Sequence, residues 1–360
     1  MSGTSTDGID VAYLESDGEA IGHLGGHLTV PYTHQFREKL RALIASDSAP
    51  DSNRNRAQKS VEGELTWLHA AAVTRFMSEE NLSPADVDLV GFHGHTIDHD
   101  PNRGRTVQIG DGPALSRLLN LPVVNDFRSN DVMHGGQGAP LAPIYHAALF
   151  AAAEKPTAVL NIGGVANVTW IGKGEQSLLS FDAGPGNALI DDWVRSHGAG
   201  DYDDGGKNAA AGSVDNVALD ILLGDPYFTA HPPKSLDRNT FPGDCVQGLS
   251  LEDGAATLAM FTVRTIGLAV AHFPAPPDQW IVCGGGRLNH HLMDCLAREV
   301  PGAVTGSDAL GWNGDAIEAQ AFAYLAIRSI LGFPISFPGT TGVAEPLTGG
   351  RFNAPANPDR

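Results

Sequence analysis

Apolar residues along the chain fall into two kinds of segment. Short runs rich in β-branched and aromatic residues predict strands at positions 9–14, 89–92, 123–124, 158–162, 165–171 and 280–283. Longer segments repeat apolar residues at the spacing of an α-helix and predict helices at positions 61–77, 113–120, 255–271, 290–299 and 315–331. Because strands and helices are interleaved, the pattern predicts an α/β fold.

Two of the predicted strands have a glycine-rich turn beside them. The segment from Ser2 to Gly8 precedes the strand at 9–14, and Gly163-Gly164 separates the strands at 158–162 and 165–171. The second arrangement is a β-hairpin signal. The repetition predicts two related lobes, each with a glycine-rich hairpin, that face one another across a ligand-binding cleft. We place the lobe boundary near residues 126–138.

Composition narrows the class of protein. With 360 residues and 42% hydrophobic content, the chain can form two globular units. The 42 acidic residues outnumber the 23 lysines and arginines, and the resulting formal charge of −19 argues against nucleic acid or an anionic membrane as a partner.

The cellular compartment follows from three further features. The first ten residues carry two aspartates and no basic, apolar segment, so we expect no secretory signal. No run approaches the ~20 apolar residues of a membrane span. Three unevenly spaced cysteines, Cys245, Cys283 and Cys295, fit a reducing compartment, and the lack of CxxC or HExxH spacing gives no support for structural zinc. We expect a cytoplasmic protein.

The first glycine-rich segment has the composition of a phosphate-binding loop. Small residues let backbone N–H groups approach an anion, hydroxyls add donors, and aspartates can orient the shell of a magnesium ion. Its residues are Gly3, Thr4, Ser5, Thr6, Asp7, Gly8, Ile9 and Asp10. A surface turn rich in helix-capping residues is the alternative interpretation.

A second candidate is the carboxylate of Asp182. It ends an apolar run directly before Gly184-Pro185-Gly186 and a helix that is predicted to begin near Ala188. In that position a carboxylate can reach into a cleft and act in catalysis. Helix capping is the alternative, although Asn187 is better placed to cap.

Two other glycine pairs or triplets end predicted strands. Gly163 and Gly164, in a segment that closes with Asn167, suit a tight turn against a ligand. The run of Gly284, Gly285 and Gly286 follows an apolar strand, so a flat adenine ring could lie against bare backbone there. Neither GxGxxG nor GxxxxGK[ST] is present, which argues against a dinucleotide fold and a P-loop.

Polar residues between glycines in the first half resemble ligand contacts, although each is individually a weak signal. These segments are His93-Gly94-His95-Thr96, Gln108-Ile109-Gly110-Asp111, Asp126-Phe127-Arg128 and Gly135-Gly136-Gln137-Gly138-Ala139-Pro140-Leu141. A histidine such as His93 is more often a hydrogen-bonded structural residue than a catalyst.

Taken together and in this order, the segments resemble the anhydro-N-acetylmuramic acid kinase family of the sugar kinase, heat-shock ATPase and actin superfamily. The resemblance covers nearly the whole chain. It rests on MSGTSTDGID, HGxT, TVQIGD, DFRxxDV, GGQGAPL, LNIGGxxN, FDAGPGN and CGGGxxN. It implies two RNase H-like lobes with an interlobe cleft: residues 1–126 with 340–360 for phosphate and sugar contacts, and 127–339 for the nucleotide and the catalytic aspartate.

The resemblance also implies the chemistry and the partners. In this family the 1,6-anhydro ring of anhydro-N-acetylmuramate is opened with water while O6 receives the γ-phosphate of ATP, in peptidoglycan recycling. ATP and Mg²⁺ are the implied cofactors, the anhydro amino sugar is the implied partner, and a homodimer is the family-level expectation.

The roles of individual residues follow from the same resemblance. Asp182 matches the general base, and Thr96, Arg128 and Glu318 match substrate-side positions. The matching nucleotide positions are Gly3 to Asp10, Gly163, Gly164, Asn167, Gly284, Gly285 and Gly286. The direct magnesium ligands stay open.

The sequence departs from the family pattern at three places. Met1 falls inside the first motif, so we expect in-frame residues upstream to supply a first strand. His95 stands where the family usually has Gln, and Ser129 and Asn130 stand where it often has Arg. The groups that hold the lactyl carboxylate of the substrate therefore stay open.

Two alternative functions remain at this point. One is another sugar or acyl kinase of the superfamily, against which GGQGAPL and FDAGPGN count. The other is an actin-like ATP-binding protein without turnover, against which the intact FDAGPGN turn counts.

Overall fold

The computed structural model describes residues 1–3, 6–46, 52–151, 156–173, 177–236, 240–241, 243–314 and 316–355. Its strands are β1 Gly8–Ser16, β2 Ile21–Pro31, β3 Val90–Gly91, β4 His95–Asp100, β5 Arg105–Ile109, β6 Val123–Asn125, β7 Thr157–Ile162, β8 Val165–Ile171, β9 Leu178–Pro185, β10 Gln279–Cys283, β11 Ala303–Gly306 and β12 Arg351–Asn353. Its α-helices are α1 His34–Ala45, α2 Ser52–Glu79, α3 Gly112–Leu119, α4 Ser129–Met133, α5 Pro143–Leu149, α6 Ala188–Ser196, α7 Lys207–Ala211, α8 Asn216–Leu223, α9 Leu251–Ala269, α10 His290–Glu299, α11 Ile317–Leu331 and α12 Pro338–Thr341.

The predicted α/β class is confirmed. The six predicted strands are β1, β3, β6, β7, β8 and β10, and the predicted helices are α2, α3, α9, α10 and α11. The helix expected near Ala188 is α6. Helix α2 begins at Ser52, whereas the predicted helix begins at position 61. The first turns of α2 are polar, so no apolar periodicity marks them as helical in the sequence.

The chain divides into two compact units, Met1–Ala151 with Ala316–Arg360, and Ala152–Asp315. The sequence-based division at residues 126 and 339 had placed α4, α5 and α11 in the second lobe. Helix α11 packs in the first unit, where the Phe322 ring lies 5.3 Å from that of Phe127. A Cβ atom added to Gly91 would lie 2.3 Å from the Phe322 carbonyl oxygen. The functional division between the lobes stays a prediction.

The second unit contains one five-stranded sheet in the order β11-β10-β7-β8-β9. Strand β8 is antiparallel to both of its neighbours, whereas β10 and β11 run parallel to β7. Read from β9, the strands of this sheet are third, second, first, fourth and fifth in chain order, which is the strand order of an RNase H-like lobe. The hairpin predicted at Gly163-Gly164 joins β7 and β8, with Ile162 opposite Ala166.

Helix α9 is the central helix of the second unit. Most of its residues are buried among the apolar side chains of this unit, including Ala255, Ala259 and Ile266. Among the described residues, the stretch Leu251–His272 is long and apolar enough to cross a membrane by length and composition. The sequence pattern predicted no apolar run of this length. Because 67% of its most apolar window is buried in the protein, it is a core helix.

The first unit contains three smaller sheets in its described part. Strand β1 pairs with β2, β4 pairs with β5, and β6 lies between β12 and β3. The turn of the first hairpin follows β1 at residues 17–20, because β1 pairs with the strand after it. A hairpin at the segment from Ser2 to Gly8 was expected and is not formed within the described residues.

A cavity of about 770 Å³ lies in the first unit, lined by parts of β1, β3, α2 and α11. Met1 lies at its wall, where its ammonium nitrogen donates to the Asp10 carbonyl oxygen at 2.8 Å and its own carbonyl accepts from the Asp10 amide at 2.9 Å. Burial lowers the pKa of this ammonium group to about 6. Beyond Asp10, the edge of β1 opposite β2 has no strand partner among the described residues.

The expectation of an upstream first strand stays a prediction, and the cavity beside β1 is where that strand would lie. A strand in the cavity would pair with the open edge of β1 and bury apolar surface. We expect a chain that includes the in-frame upstream residues to melt several degrees higher in a thermal unfolding experiment. A matched extension of Gly and Ser residues is the control, and equal melting temperatures for the two chains would contradict the prediction.

Candidate active site

The predicted site residues form two groups, one in each unit. The first unit holds Gly3, Thr6, Asp7, Gly8, Ile9, Asp10, Thr96, Arg128 and Glu318. The second holds Gly163, Gly164, Asn167, Asp182, Gly284, Gly285 and Gly286. The predicted residues Thr4 and Ser5 lie outside the described part of the chain.

Asp182 lies inside β9, directly opposite Asn167 of β8. The register shifts between the pairs Ala166–Gly184 and Asn167–Asp182, so Ala183 is an extra residue that makes a β-bulge. Bulges bend a strand and re-aim the neighbouring side chain. The alternative interpretation, in which Asp182 caps a helix, is therefore wrong, because its carboxylate accepts hydrogen bonds from residues that do not begin a helix.

Two protein donors hold the Asp182 carboxylate. The Asn167 side-chain amide donates to Oδ1 at 2.9 Å, and the Leu236 backbone N–H donates to Oδ2 at 2.7 Å. Burial raises the pKa of this carboxyl above its ordinary value of 3.8, while the two hydrogen bonds oppose the shift. The carboxylate is thus fixed in direction and is a stronger base than an exposed aspartate.

The loop that carries Leu236 escaped the sequence analysis. Its Lys234 carbonyl accepts from the Asp182 backbone N–H at 3.1 Å, and the Tyr227 hydroxyl donates to the Asp182 carbonyl at 2.6 Å. The Lys234 ammonium lies 4.7 Å from the centre of the Tyr227 ring. No periodic pattern or motif marks this loop, and only the fold brings it to β9.

The three glycine turns of the second unit lie beside one another. The Asn187 backbone N–H donates to the Gly163 carbonyl at 2.7 Å, and its side-chain amide donates to the Ile162 carbonyl at 3.2 Å. Asn187 occupies the N-cap position of α6 but makes no side-chain cap hydrogen bond, so its expected capping role is wrong. Gly285 lies near the same amide, 3.7 Å from where its Cβ would be.

Close packing explains only some of the glycines in these turns. A Cβ on Gly284 would lie 2.3 Å from the Asn161 side-chain oxygen, and one on Gly286 would lie 2.4 Å from Ile162, so packing against β7 requires both. Gly163, Gly164 and Gly285 have no neighbour within 3.6 Å of an added Cβ. Open space beside these three leaves bare backbone that a flat ligand could approach.

In the first unit, two arginines of α1 contact the glycine-rich segment. Arg41 Nε donates to the Thr6 hydroxyl at 3.2 Å, and Arg37 Nη2 donates to the Asp7 carbonyl at 3.3 Å. Thr6 has a φ of +55°, in the left-handed region that is uncommon outside glycine. Neither arginine was among the predicted site residues, because α1 was not predicted. They add positive charge beside a segment with phosphate-loop composition.

The carboxylate of Asp10 accepts a hydrogen bond from the Thr29 hydroxyl at 2.7 Å. Burial is the main cause that raises the pKa of Asp10, and this hydrogen bond opposes it. Gly8 packs against β2, where an added Cβ would lie 2.6 Å from the Val30 carbonyl oxygen. Close packing therefore accounts for the glycine at position 8, whose contact with a ligand stays a prediction.

Residues of the first unit hold the Arg128 guanidinium through hydrogen bonds. Its Nη1 donates to the Gly138 carbonyl at 2.7 Å, and its Nε and Nη2 lie 3.2 and 3.0 Å from His93 Nε2. The Asp131 carboxylate accepts from the Gly138 backbone N–H at 2.6 Å and from the Thr341 hydroxyl at 2.5 Å. The segments DFRxxDV and GGQGAPL are thus joined in one hydrogen-bond network.

Replacing Asp131 with Ala is expected to destabilise the first unit. Asp131 is buried, and its removal leaves the Gly138 amide and the Thr341 hydroxyl without their acceptor, at a cost of roughly 2–4 kcal/mol. Chemical denaturation measures the free energy of unfolding, with the exposed Asp220→Ala as control. A difference between the two variants under about 0.5 kcal/mol would contradict the predicted role.

The other two predicted substrate-side residues have different surroundings. Thr96 lies on β4, where its hydroxyl accepts from the Gln108 side-chain amide at 3.2 Å. Glu318 lies in the first turn of α11. Glu318 is exposed at the surface of the unit, yet the side chains around its carboxyl remove water from it and raise its pKa, while the charge of Arg128 opposes the shift. Asp10 and Asp7 add to the increase, which places all four charges in one region of the first unit.

Comparison with known proteins identifies the family. The family model described as anhydro-N-acetylmuramic acid kinase matches residues 1–353. The chain belongs to this family. Among proteins named anhydro-N-acetylmuramic acid kinase, that of Rhizorhabdus wittichii is 52% identical over 99% of this chain and 98% of its own. That of Paramagnetospirillum magneticum is 48% identical over 99% and 98%, and that of Methylobacterium nodulans is 51% identical over 97% of each.

Among solved structures, a ROK family glucokinase from Streptomyces griseus in complex with glucose and AMPPNP is similar over 88% of this chain and 99% of its own. The identity is 14% and the TM-score is 0.39.

Two of the residues that depart from the pattern of the anhydro-N-acetylmuramic acid kinase family, Asn130 and His95, have partners within the first unit. The Asn130 amide donates to the Thr348 carbonyl at 2.7 Å. The Tyr32 hydroxyl donates to Ser2 Oγ at 2.7 Å, and Ser2 Oγ lies 2.9 Å from His95 Nδ1. His95 is buried, and its Nε2 has no hydrogen-bond partner among the described residues. This histidine anchors the start of the glycine-rich segment.

Proposed function

We propose that the protein is an ATP-dependent kinase that hydrolytically opens the 1,6-anhydro ring of 1,6-anhydro-N-acetylmuramate and phosphorylates O6. The products would be N-acetylmuramate 6-phosphate and ADP, in the recycling of peptidoglycan. Family membership over residues 1–353 carries the proposal. The Asp182 carboxylate, which two protein donors hold at the position that matches the family's general base, also supports it.

Asp182 is the proposed general base. A water molecule attacks the anomeric carbon, its proton passes to the Asp182 carboxylate, and the bond from the anomeric carbon to O6 breaks. O6 then attacks the γ-phosphorus, and the bond to the β-phosphate oxygen breaks to release ADP. Each Asp182 oxygen accepts one hydrogen bond from the protein, so lone pairs remain for the proton of the water. The proposed role of Asn167 is to orient this base, and its predicted contact with ATP stays a prediction.

The proposed ATP site uses Gly3 to Asp10 for the phosphates and Gly163, Gly164 and Gly284 to Gly286 for the nucleotide. The open space beside Gly163, Gly164 and Gly285 supports this assignment. Arg37 and Arg41, which contact the first segment, would add charge for the phosphates.

Mg²⁺ is the proposed companion of ATP. Among the described residues, no group of three His, Cys, Asp or Glu could hold a metal ion. Mg²⁺ with a nucleotide takes one or two carboxylates and completes its shell with phosphate oxygens and water, so this finding fits a magnesium nucleotide. Asp10 and Asp7 would supply the carboxylates, and the ion would offset charge on the transferring phosphoryl group.

Thr96, Arg128 and Glu318 are the proposed substrate contacts. The protein would act in the cytoplasm on a small sugar, and a homodimer stays a prediction.

The proposed base has a consequence for the pH dependence of kcat/KM. Asp182 must be deprotonated to accept a proton, and its pKa is raised above 3.8 by burial. We therefore expect kcat/KM to fall about tenfold per pH unit as the pH decreases below the raised pKa. Rates measured in buffers of constant ionic strength test this. A wild-type profile that stays flat down to pH 3.8, with the protein still folded, would contradict the assignment.

Mass spectrometry of the product tests the function itself. Incubation with Mg-ATP and 1,6-anhydro-N-acetylmuramate should give a product that has gained both the mass of water and that of the phosphoryl group. Gain of phosphate without water would favour an ordinary sugar or acyl kinase. ATP binding without any product would favour an actin-like protein without turnover.

A further inference from the structure

The Arg128 guanidinium is unusual in that the protein binds it through neutral acceptors alone. These are the Gly138 carbonyl oxygen and His93 Nε2. Within the described residues no carboxylate lies within 4.0 Å of this guanidinium. Glu318 and Asp131 act on its charge from a greater distance. A half-buried guanidinium without a carboxylate partner is poised for an anionic ligand.

The hydrogen bonds of His93 define its tautomer. Its Nδ1 lies 3.0 Å from the Gly94 carbonyl oxygen, which can only accept, so Nδ1 carries the hydrogen. Nε2 is then the unprotonated nitrogen and accepts from Arg128 Nε and Nη2. Burial and the charge of Arg128 keep the pKa of His93 well below its ordinary value, in agreement with this neutral form.

The His93 ring is itself held in place. It is 5% exposed and packs against the Phe322 ring with the two centres 4.4 Å apart. The same Phe322 ring lies 5.7 Å from the central carbon of the Arg128 guanidinium. Imidazole and guanidinium therefore share one aromatic support on α11, which fixes their relative orientation.

We propose that His93 is a positioning residue, whose neutral imidazole aims the Arg128 guanidinium at the carboxylate of the substrate. This inference rests on the proposed function and deepens it, because it assigns the recognition of the lactyl group to a pair and not to Arg128 alone.

Counting of donors supports the role. A guanidinium has five N–H donors, and the contacts to His93 and Gly138 use three of them. The two that remain lie one on each terminal nitrogen, which is the pair that binds a carboxylate in a bidentate manner. A carboxylate in place of the imidazole would neutralise Arg128, whereas the imidazole leaves its full charge for the ligand.

Two substrates and three variants test the proposal. 1,6-Anhydro-N-acetylmuramate carries the lactyl carboxylate, whereas 1,6-anhydro-N-acetylglucosamine is the same bicyclic sugar without it. In His93→Leu, which has no acceptor, we expect KM for the first sugar to rise about 10- to 100-fold, with kcat changed less. KM values for the second sugar and for ATP should stay within about twofold. His93→Asn, whose acceptor is too short to reach Arg128, should behave like the Leu variant, and His93→Gln should retain most of the preference.

His69→Leu is the matched control. His69 is also buried in the first unit, with Nδ1 2.8 Å from the Leu65 carbonyl oxygen and its ring 4.9 Å from that of Phe92, but it has no contact with Arg128. We expect this variant to lose stability and keep the preference for the carboxylate.

Three outcomes would overturn the inference. One is an unchanged preference in His93→Leu and His93→Asn, whether both KM values stay the same or rise equally. If His93→Leu does not fold, the soluble Asn and Gln variants decide the question. A wild type that turns over both sugars equally well would overturn the inference while leaving the kinase function intact. A wild type that phosphorylates neither sugar would overturn both.

Discussion

Replacing Asp182 with Asn is expected to lower turnover by about 10²-fold or more while the fold and ATP binding are retained. The substitution removes the proton acceptor and changes the shape of the side chain very little. Asp182 now accepts from the Asn167 amide and from the Leu236 N–H. In the variant, the oxygen of the new side-chain amide can accept from the Leu236 N–H. Its NH₂ group can donate to the Asn167 side-chain oxygen once the Asn167 amide has flipped. The hydrogen bonds are therefore kept and only the base is lost.

The stability of this variant separates chemistry from folding. Because the pKa of Asp182 is raised in the folded protein, the native state holds a proton more tightly than the unfolded chain. Stability therefore falls as the pH rises from 3.8 through the raised pKa, and at neutral pH the ionised carboxylate is a cost. An uncharged Asn avoids this cost, so we expect the variant to melt no earlier than the wild type at pH 7.

Measurements of kcat and of ATP affinity check the prediction, with the exposed Asp220→Asn as control. That control changes one charge of the same unit far from any predicted site residue in sequence, and should keep full activity. Near-normal turnover of Asp182→Asn would remove Asp182 from the base role. An early unfolding transition would instead show that the carboxylate is structural.

The sequence alone could predict the parts of this fold that depend on local pattern. Strand β8 was predicted with its observed bounds because residues 165–171 are rich in residues that favour strands. Its hairpin with β7 follows from the two glycines between the strands. Strand β2 was missed, since its His23, Gly25 and Gly26 interrupt any alternation. Its conformation is imposed by pairing with β1, which is a tertiary effect.

The site shows the same division. Asp182 could be found because it precedes a Gly-Pro-Gly turn. The donors that fix it could not be found, since Leu236 lies 54 residues further along the chain and its backbone N–H carries no residue signature. Likewise, the acceptor and donor that join Asp131 to Thr341 are 210 residues apart. The boundary between the units was misplaced for a related reason, because α11 returns to the first unit through packing that periodicity cannot reveal.

Turnover in ¹⁸O-labelled water is expected to place the label on the anomeric oxygen of the product and none in the transferred phosphate. If Asp182 activates water, the oxygen of that water becomes the anomeric hydroxyl, while O6 of the sugar carries the phosphoryl group. An ordinary hydroxyl kinase would deprotonate the sugar directly and incorporate no label in either group. Product incubated in labelled water without enzyme controls for exchange at the anomeric centre.

The same mechanism predicts that N-acetylmuramate, already hydrolysed and with a free O6 hydroxyl, is a poor substrate. Its anomeric hydroxyl occupies the space that the attacking water needs, so binding energy is lost in the transition state and kcat/KM should fall by about 10²-fold or more. Efficient phosphorylation of N-acetylmuramate would contradict the coupling of water to phosphoryl transfer and favour an ordinary sugar kinase. Label in the phosphate would also contradict this coupling.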